Sequence, residues 1–280
     1  MHPLLLARTA RATRRALAKA PVPERWAREA VKTQLRLAAG RVGRDGGLVQ
    51  VKVDRFDVTG FSISSLAYLH REIFVDLQYY FSTQARDPFI VDGGSNIGMS
   101  VLFFKALYPD AHVLAFEPAQ PAHELLLRNI AQNGLGGVEV HRAALGRETG
   151  EAQFFEDPED PSTFRMSTRP GRIEGTARSV PQLRLSELLN ADVDLLKLDV
   201  EGAEDIVLTD LVESGAISRV GQLVVEYHHH LDPERDFLDA FLERLRVQGF
   251  KYQVSAQERV KNRADLRPTF QDVLVHAFRL

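Results

Sequence analysis

From Phe89 to the end of the chain, short apolar runs alternate with segments whose apolar positions recur at three- and four-residue spacing. The runs Phe89–Val91, His112–Phe116, Val138–His141, Val193–Asp199, Gly221–Tyr227, Phe250–Val254 and Asp272–Phe278 predict strands. Helices are predicted from about Met99, over about Ala122–Asn133, near Glu204–Glu213 and over about Pro233–Gln248. Such alternation is what βαβ units produce, so the expected fold is a doubly wound α/β domain with a mostly parallel sheet and helices on both faces. Residues 142–192 interrupt the rhythm. There Gln153–Phe155 reads as a short strand, and Asp157–Arg172, rich in Pro, Ser, Thr and charge, reads as a long loop.

Upstream the pattern changes. Residues 1–39 predict one or two helices broken at Pro21 and Pro23, and Gly40–Gly47 supplies a glycine-rich charged connection. The alternation Val49, Val51, Val53 predicts a strand or hairpin over Val49–Val58, and residues 64–86 read as helical. The chain therefore divides into a basic helical arm and linker (1–47), an accessory strand and helix segment (48–86) and a main domain (87–280).

Composition narrows the function classes. Hydrophobic residues make up 44% and charged residues 26%, a globular balance. No run approaches the roughly 20 apolar residues that a membrane span requires. The lack of cysteine excludes disulfides, thiolate zinc sites and cysteine nucleophiles and is compatible with a reducing cytoplasm, the expected location. The net charge of -3 hides an asymmetry: residues 1–44 carry 11 Lys/Arg against Glu24 and Glu29, a local +9 that leaves -12 on the remainder. Two readings of this arm stand side by side, a solvated arginine-rich helix and a peripheral contact with anionic lipid or an acidic partner through residues 1–44. The short Leu4–Leu6 run, with its charges after it, argues against a secretory signal, whereas the acid-free first 23 residues share a property of mitochondrial presequences. An acidic main domain argues against nucleic acid as a partner.

The sharpest local signal is Ile90-Val91-Asp92-Gly93-Gly94-Ser95-Asn96-Ile97-Gly98, a buried strand running into a glycine-rich turn and then an apolar helix. Such a turn lets backbone approach a bound nucleoside closely. A dinucleotide turn would place glycine at 93, 95 and 98, and Ser95 stands where a pyrophosphate must approach, which counts against a nicotinamide cofactor. The spacing of Asp92, Gly94, Asn96 and Gly98 suits a ligand with an amino-acid tail and no phosphate. Glu117 closes the next strand, followed by Pro118, where a carboxylate can accept hydrogen bonds from both ribose hydroxyls. The bland alternative makes Asp92 and Glu117 helix caps.

Three stretches together resemble the FkbM family of methyltransferases: Phe89–Gly98, the triplet Phe116-Glu117-Pro118, and Asp194-Leu195-Leu196-Lys197-Leu198-Asp199-Val200-Glu201-Gly202-Ala203-Glu204. They fall in the family's order and span about Phe89 to His228. The last is the most specific. The resemblance implies a Rossmann-like, class I methyltransferase fold with a seven-stranded sheet whose last strand is inserted antiparallel. It also implies S-adenosylmethionine as cofactor and methylation of a hydroxyl on a sugar, glycolipid or natural product, so that the partner is a small-molecule or glycosylated acceptor. A homo-oligomer is compatible with it. A rival of another class is a non-catalytic cofactor-binding or membrane-surface protein acting through the basic arm.

On this reading Asp92, Gly94, Ser95, Asn96, Gly98, Glu117, Pro118, Ala143 and Asp199 are expected at the cofactor, with Ala143-Ala144-Leu145 as an apolar wall for adenine. A hydroxyl acceptor needs a base or a metal near the methyl group. Asp199 ends one strand, and period-two alternation places Glu226, His228 and His230 on one side of its neighbour. The catalytic candidates are His228, Asp199, Lys197 and Glu226, with His228 as direct base. The alternative is a divalent cation held by Asp199, Glu226 and His228. Lys197, in a strand covered on both faces, needs a partner, for which Asp92 and Asp199 are the candidates. Glu201 and Glu204 straddle the following turn and either cap the next helix or belong to the site. The stretch Ser162–Ser167, with Phe164, Arg165 and Met166, reads either as a loop that closes over the acceptor or as an exposed excursion.

Overall fold

A computed structural model of the chain describes residues 3–40, 47–156, 176–229, 238–256 and 271–279. The arm is a helical pair, α1 (Pro3–Leu17) and α2 (Glu24–Gly40), parted by the two prolines as expected. A hairpin follows, β1 (Val49–Val53) and β2 (Phe56–Gly60), with Asp54 at φ 50 in its turn. Next comes α3 (Ile63–His70), opened by a capping box between Ser62 and Ser65, which runs into a π-helical turn at Arg71–Val75.

Helix was expected through residue 86, but it ends at Asp76. Leu77 adopts φ 56, which turns the chain back, and Tyr79 and Phe81 are then buried from an irregular segment. Tertiary burial of two aromatic rings overrides local periodicity here.

The main domain continues with β3 (Phe89–Gly93), α4 (Met99–Leu107), β4 (His112–Phe116), α5 (Gln120–Gln132) and β5 (Val138–His141). Three strands then form a small separate sheet: β6 (Ala144–Gly146), β7 (Gly150–Glu156) and β8 (Thr176–Arg184), with β8 in the middle. The second half brings β9 (Val193–Leu198), α6 (Glu204–Glu213), β10 (Val220–His229), α7 (Leu238–Val247), β11 (Lys251–Ala256) and β12 (Gln271–Phe278).

Among the described residues the large sheet has seven strands in the order β11-β12-β10-β9-β3-β4-β5. The pairings from β10 to β5 are all parallel, and β12 enters between β10 and β11 antiparallel to both. The inserted antiparallel last strand is therefore present. Alternate residues of the central strands feed two cores. Ile90, Val113, Ala115, Leu195 and Val224 join α4 and α5 on one face. Val91, Leu114, Phe116, Leu196, Leu198, Leu223 and Val225 join α6 and α7 on the other. Burial on both faces explains why these strands read as near-continuous apolar runs. Chain order reverses between β3 and β9, and ligands of doubly wound sheets bind outside the carboxyl ends of strands at such a point.

The arm is docked rather than free. Trp26 of α2 stacks on Phe74 at 5.6 Å between ring centres, meets Phe103 edge-on at 5.5 Å and donates its Nε1–H to Phe74 O at 2.9 Å. Arg8, Arg11, Arg14 and Arg15 of α1 are exposed. None of the described helices is long and apolar enough to cross a membrane.

Candidate active site

The glycine turn sits at the switch point between β3 and β9. Gly94 (φ 81), Asn96 (φ 48) and Gly98 (φ 88) all take left-handed backbone. At Gly94 the requirement is also steric, because a Cβ there would fall 1.8 Å from Asp199 O. The turn is fixed to its neighbours by backbone bonds: Gly94 N–H and Ser95 N–H both donate to Phe116 O, at 3.0 and 2.9 Å, and Asp199 N–H donates to Gly93 O at 3.0 Å. Asn129 of α5, a position the sequence did not signal, donates to Ile97 O at 2.8 Å and to Thr59 O at 3.0 Å, joining the turn to β2.

Glu117 closes β4 beside this turn. Its two carboxylate oxygens accept the backbone N–H groups of Asn96 and Ala119, each at 2.8 Å. The capping role and the ligand role are thus compatible, since each oxygen keeps a second lone pair. Burial pushes the Glu117 carboxyl up to about 7, against the opposing pull of those two N–H groups and of Lys197.

One cavity runs along the strand ends. Of the residues expected at the cofactor, Gly94, Ser95, Asn96, Glu117, Pro118, Ala143 and Asp199 line it, and Ala144 and Leu145 continue the wall beside Ala143. Asp92 and Gly98 are not among its lining residues. Asp92 is fully buried beneath the turn, where Oδ2 accepts Ser100 Oγ–H at 2.6 Å and Oδ1 lies 3.1 Å from Lys197 Nζ. Lys197 therefore has the partner its burial demanded. Its ammonium also donates to Gly94 O at 2.6 Å and Gly93 O at 3.1 Å, and lies 3.7 Å from Asp199 Oδ2. Burial alone would lower the Lys197 pKa, but Asp92 and Asp199 outweigh it and hold the group as a cation.

The other end of the cavity is acidic. Asp199, Glu201, Glu226 and His228 all line it, together with Lys197 and Glu72. The alternation expected along β10 is present: Glu226 and His228 face the cavity, and Tyr227 packs behind the sheet, its hydroxyl 2.8 Å from Asp205 Oδ2. His230 and the whole Ser162–Ser167 stretch lie outside the described residues.

His228 is enclosed by carboxylates. Its Nδ1 is 2.8 Å from Glu204 Oε1, and its Nε2 is 3.3 Å from Glu201 Oε2 and 3.9 Å from Asp199 Oδ1. Burial on its own lowers the imidazole pKa, but Glu204, Glu201 and Asp199 overcome it and hold the pKa well above its ordinary value. Glu204 thus takes up Nδ1, and Nε2 is the ring nitrogen turned toward Glu201 and Asp199. The expected metal set changes. Among the described residues the metal-compatible group is Asp199, Glu201 and His228, whose ligand atoms lie within 4.8 Å of one another, and Glu226 stands outside it. Tyr79 Oη explains the separation, for it lies between Asp199 Oδ2 at 3.2 Å and Glu226 Oε2 at 3.4 Å.

Sequence reasoning missed the remaining wall. Tyr68, Leu69, Glu72, Ile73 and Tyr79 all come from α3, the π-helical turn and the segment after them. Their only signal was an aromatic-rich stretch next to the main domain.

The profile of the FkbM methyltransferase domain matches residues 92–252. The chain belongs to the FkbM methyltransferase family. Methyltransferase 1 of Beauveria bassiana is 34% identical over 165 residues, a match covering 51% of this chain and 66% of that protein, just under two thirds of it. Methyltransferase sdnD of Sordaria araneosa is 31% identical over 195 residues, covering 58% of this chain and 75% of the relative. The 31-O-demethyl-FK506 methyltransferase FkbM of Streptomyces tacrolimicus is 30% identical over 194 residues, covering 58% and 74%. Members of this FkbM family are S-adenosylmethionine-dependent methyltransferases, and the residues present fit that cofactor. Gly94 leaves room for close approach, Glu117 retains acceptor capacity for ribose, and the acidic end suits a ligand carrying sulfonium and ammonium charge.

Proposed function

We propose that the chain is an S-adenosylmethionine-dependent O-methyltransferase acting on a hydroxyl of a sugar, glycolipid or natural-product acceptor. The observation that carries this reading is that the glycine turn and the acidic strand ends line one cavity, with Asp199 packed against Gly94 at their junction. The Streptomyces relative, by its name, is a methyltransferase of 31-O-demethyl-FK506, which supports transfer to oxygen here.

In this reading Gly94, Ser95 and Asn96 present the turn to the cofactor, Glu117 accepts its ribose hydroxyls, and Pro118, Ala143 and Leu145 flank its base. When bound, the cofactor supplies an activated methyl group on sulfonium. The protein's own task is alignment and removal of a proton. Tyr68, Leu69 and Ile73 form the apolar side against which an acceptor lies, and Glu226 receives the hydroxyl proton. Tyr79 and Lys197 hold Asp199 in place, and Asp92 holds Lys197, so these are positioning residues. Exposed Arg8, Arg11, Arg14 and Arg15 support an added contact of the arm with anionic surfaces.

The test is calorimetric titration of the full chain with S-adenosylhomocysteine, followed by transfer of labelled methyl to hydroxyl-bearing acceptors. Binding that weakens about tenfold or more in Glu117→Ala is expected, at roughly 1.4 kcal/mol per decade. No binding by folded wild-type protein would overturn the reading.

A further inference from the structure

A carboxylate is a weak base for an aliphatic hydroxyl, and the acidic end of the cavity holds a set of groups that answers this difficulty. We propose that Asp199, Glu201 and His228 form a divalent-cation site whose open side faces the acceptor, with Glu204 orienting the histidine. Its catalytic meaning rests on the methyltransferase reading above, whereas the site itself is defined by geometry.

One ligand atom from each of the three residues lies within 4.8 Å of the other two, and His228 Nε2 stands 3.3 Å from Glu201 Oε2 and 3.9 Å from Asp199 Oδ1. Around a small octahedral cation with ligands at about 2.1 Å, adjacent donors are about 3.0 Å apart and opposed donors about 4.2 Å. The two separations from His228 Nε2 fall between these values, so modest side-chain adjustment brings all three onto one ion. Each ligand is placed by a different feature of the fold. Asp199 follows the end of β9, Glu201 projects from a left-handed turn at φ 56, and His228 comes from β10, the parallel neighbour of β9.

The second observation lies outside the three ligands. Glu204 is 2% exposed, accepts Gly202 N–H at 3.1 Å and Val200 N–H at 3.3 Å, and holds His228 Nδ1 at 2.8 Å. A buried carboxylate on the far nitrogen of a histidine sets the tautomer and aims Nε2 outward as a metal ligand. Helix capping alone would leave Glu204 no reason to reach His228. The three ligands all line the cavity, so an ion held by them keeps positions for an acceptor hydroxyl or water on its open side. Mixed carboxylate and imidazole donors suit Mn²⁺ or a similar first-row ion better than Ca²⁺.

With an acceptor hydroxyl on the ion, the O–H bond breaks and its proton passes to the Glu226 carboxylate, which stands outside the ligand set. The oxygen lone pair so freed forms the new O–CH₃ bond as the S–CH₃ bond of the cofactor breaks, and the bonding pair leaves with sulfur.

The experiment titrates metal-free full-length protein with MnCl₂, reading free Mn²⁺ by electron paramagnetic resonance. The same preparation is titrated calorimetrically with S-adenosylhomocysteine. One Mn²⁺ per chain is expected, with affinity lowered about tenfold or more in Glu201→Gln and in His228→Gln. Glu226→Gln is expected to change Mn²⁺ affinity by less than about threefold. Retained S-adenosylhomocysteine binding in the Glu201→Gln protein shows that the loss is not one of folding. A wild-type protein that binds S-adenosylhomocysteine but not Mn²⁺, or Mn²⁺ binding untouched by both ligand substitutions, would overturn the site. Mn²⁺ binding that follows the ligand substitutions without any S-adenosylhomocysteine binding would support the site and defeat the cofactor reading instead.

Discussion

Lys197 Nζ lies 3.1 Å from Asp92 Oδ1, and the two side chains, both closed to solvent, stand opposite each other on the parallel strands β9 and β3. Because the same ammonium donates to the carbonyls of Gly93 and Gly94, the pair fastens β9 to the glycine turn. Lys197→Met leaves Asp92 buried without its counter-charge and is expected to cost about 3–5 kcal/mol. The double variant Asp92→Asn, Lys197→Met should recover a measurable part of that loss in urea unfolding. A single-variant cost under about 1 kcal/mol would mean that the pair does not hold this part of the fold together.

Trp26 carries the docking of the helical arm, and its main support, Phe74, belongs to the π-helical turn whose neighbours Glu72 and Ile73 line the cavity. Trp26→Ala removes two ring contacts and a hydrogen bond, for an expected loss of about 2–4 kcal/mol. Hydrogen exchange should quicken in residues 24–40 and also in 63–75. Quickening confined to 24–40 would show that the arm does not brace the cavity wall.

The main domain was legible because its physics is local and periodic. Buried parallel strands must be apolar on both faces, and the glycine turn demands glycine at 94 whatever else surrounds it. Even α6 has the bounds its pattern predicted. The strand β8 was not legible: its sequence is polar, with Pro181 in the middle of a strand that pairs on both sides. Tyr79 escaped for a different reason. Its segment has no regular period, and only the fold brings it to Asp199, 120 residues away. The roles of Glu201 and Glu204 were undecidable from spacing, since a helix cap and a histidine partner place a carboxylate at the same position.

His70 ties stability to pH. Burial lowers its pKa from 6.5 to about 3, and the neutral ring accepts a hydrogen bond at Nδ1 from Gln34 of α2 at 2.7 Å while stacking on Phe74. The unfolded chain takes up a proton near 6.5 and the folded one does not, so this contribution is intact above about 6.5. Below that it is lost as pH falls toward 3, by up to about 1.4 kcal/mol per pH unit. Unfolding free energies from pH 7 to 4 should fall less steeply in His70→Phe than in wild type. Equal slopes would mean that His70 is protonated in the fold.

Glu117 has the opposite sign and a functional readout. Its carboxyl is raised from 4.5 to about 7 by burial, so the fold keeps a proton that the unfolded chain has released. Ionising Glu117 thus opposes folding as pH rises from 4.5 to about 7. Hydrogen bonds from ribose hydroxyls favour the anion, and the ligand must therefore drive the proton off wherever Glu117 is still protonated. Binding of S-adenosylhomocysteine should tighten by about tenfold from pH 6 to pH 8, with the change centred near 7. In Glu117→Gln the profile should be flat and weak, because the amide offers one acceptor oxygen and no charge. A wild-type profile as flat as that of the variant would separate the carboxylate from ribose recognition and leave it only as the cap of Asn96 and Ala119.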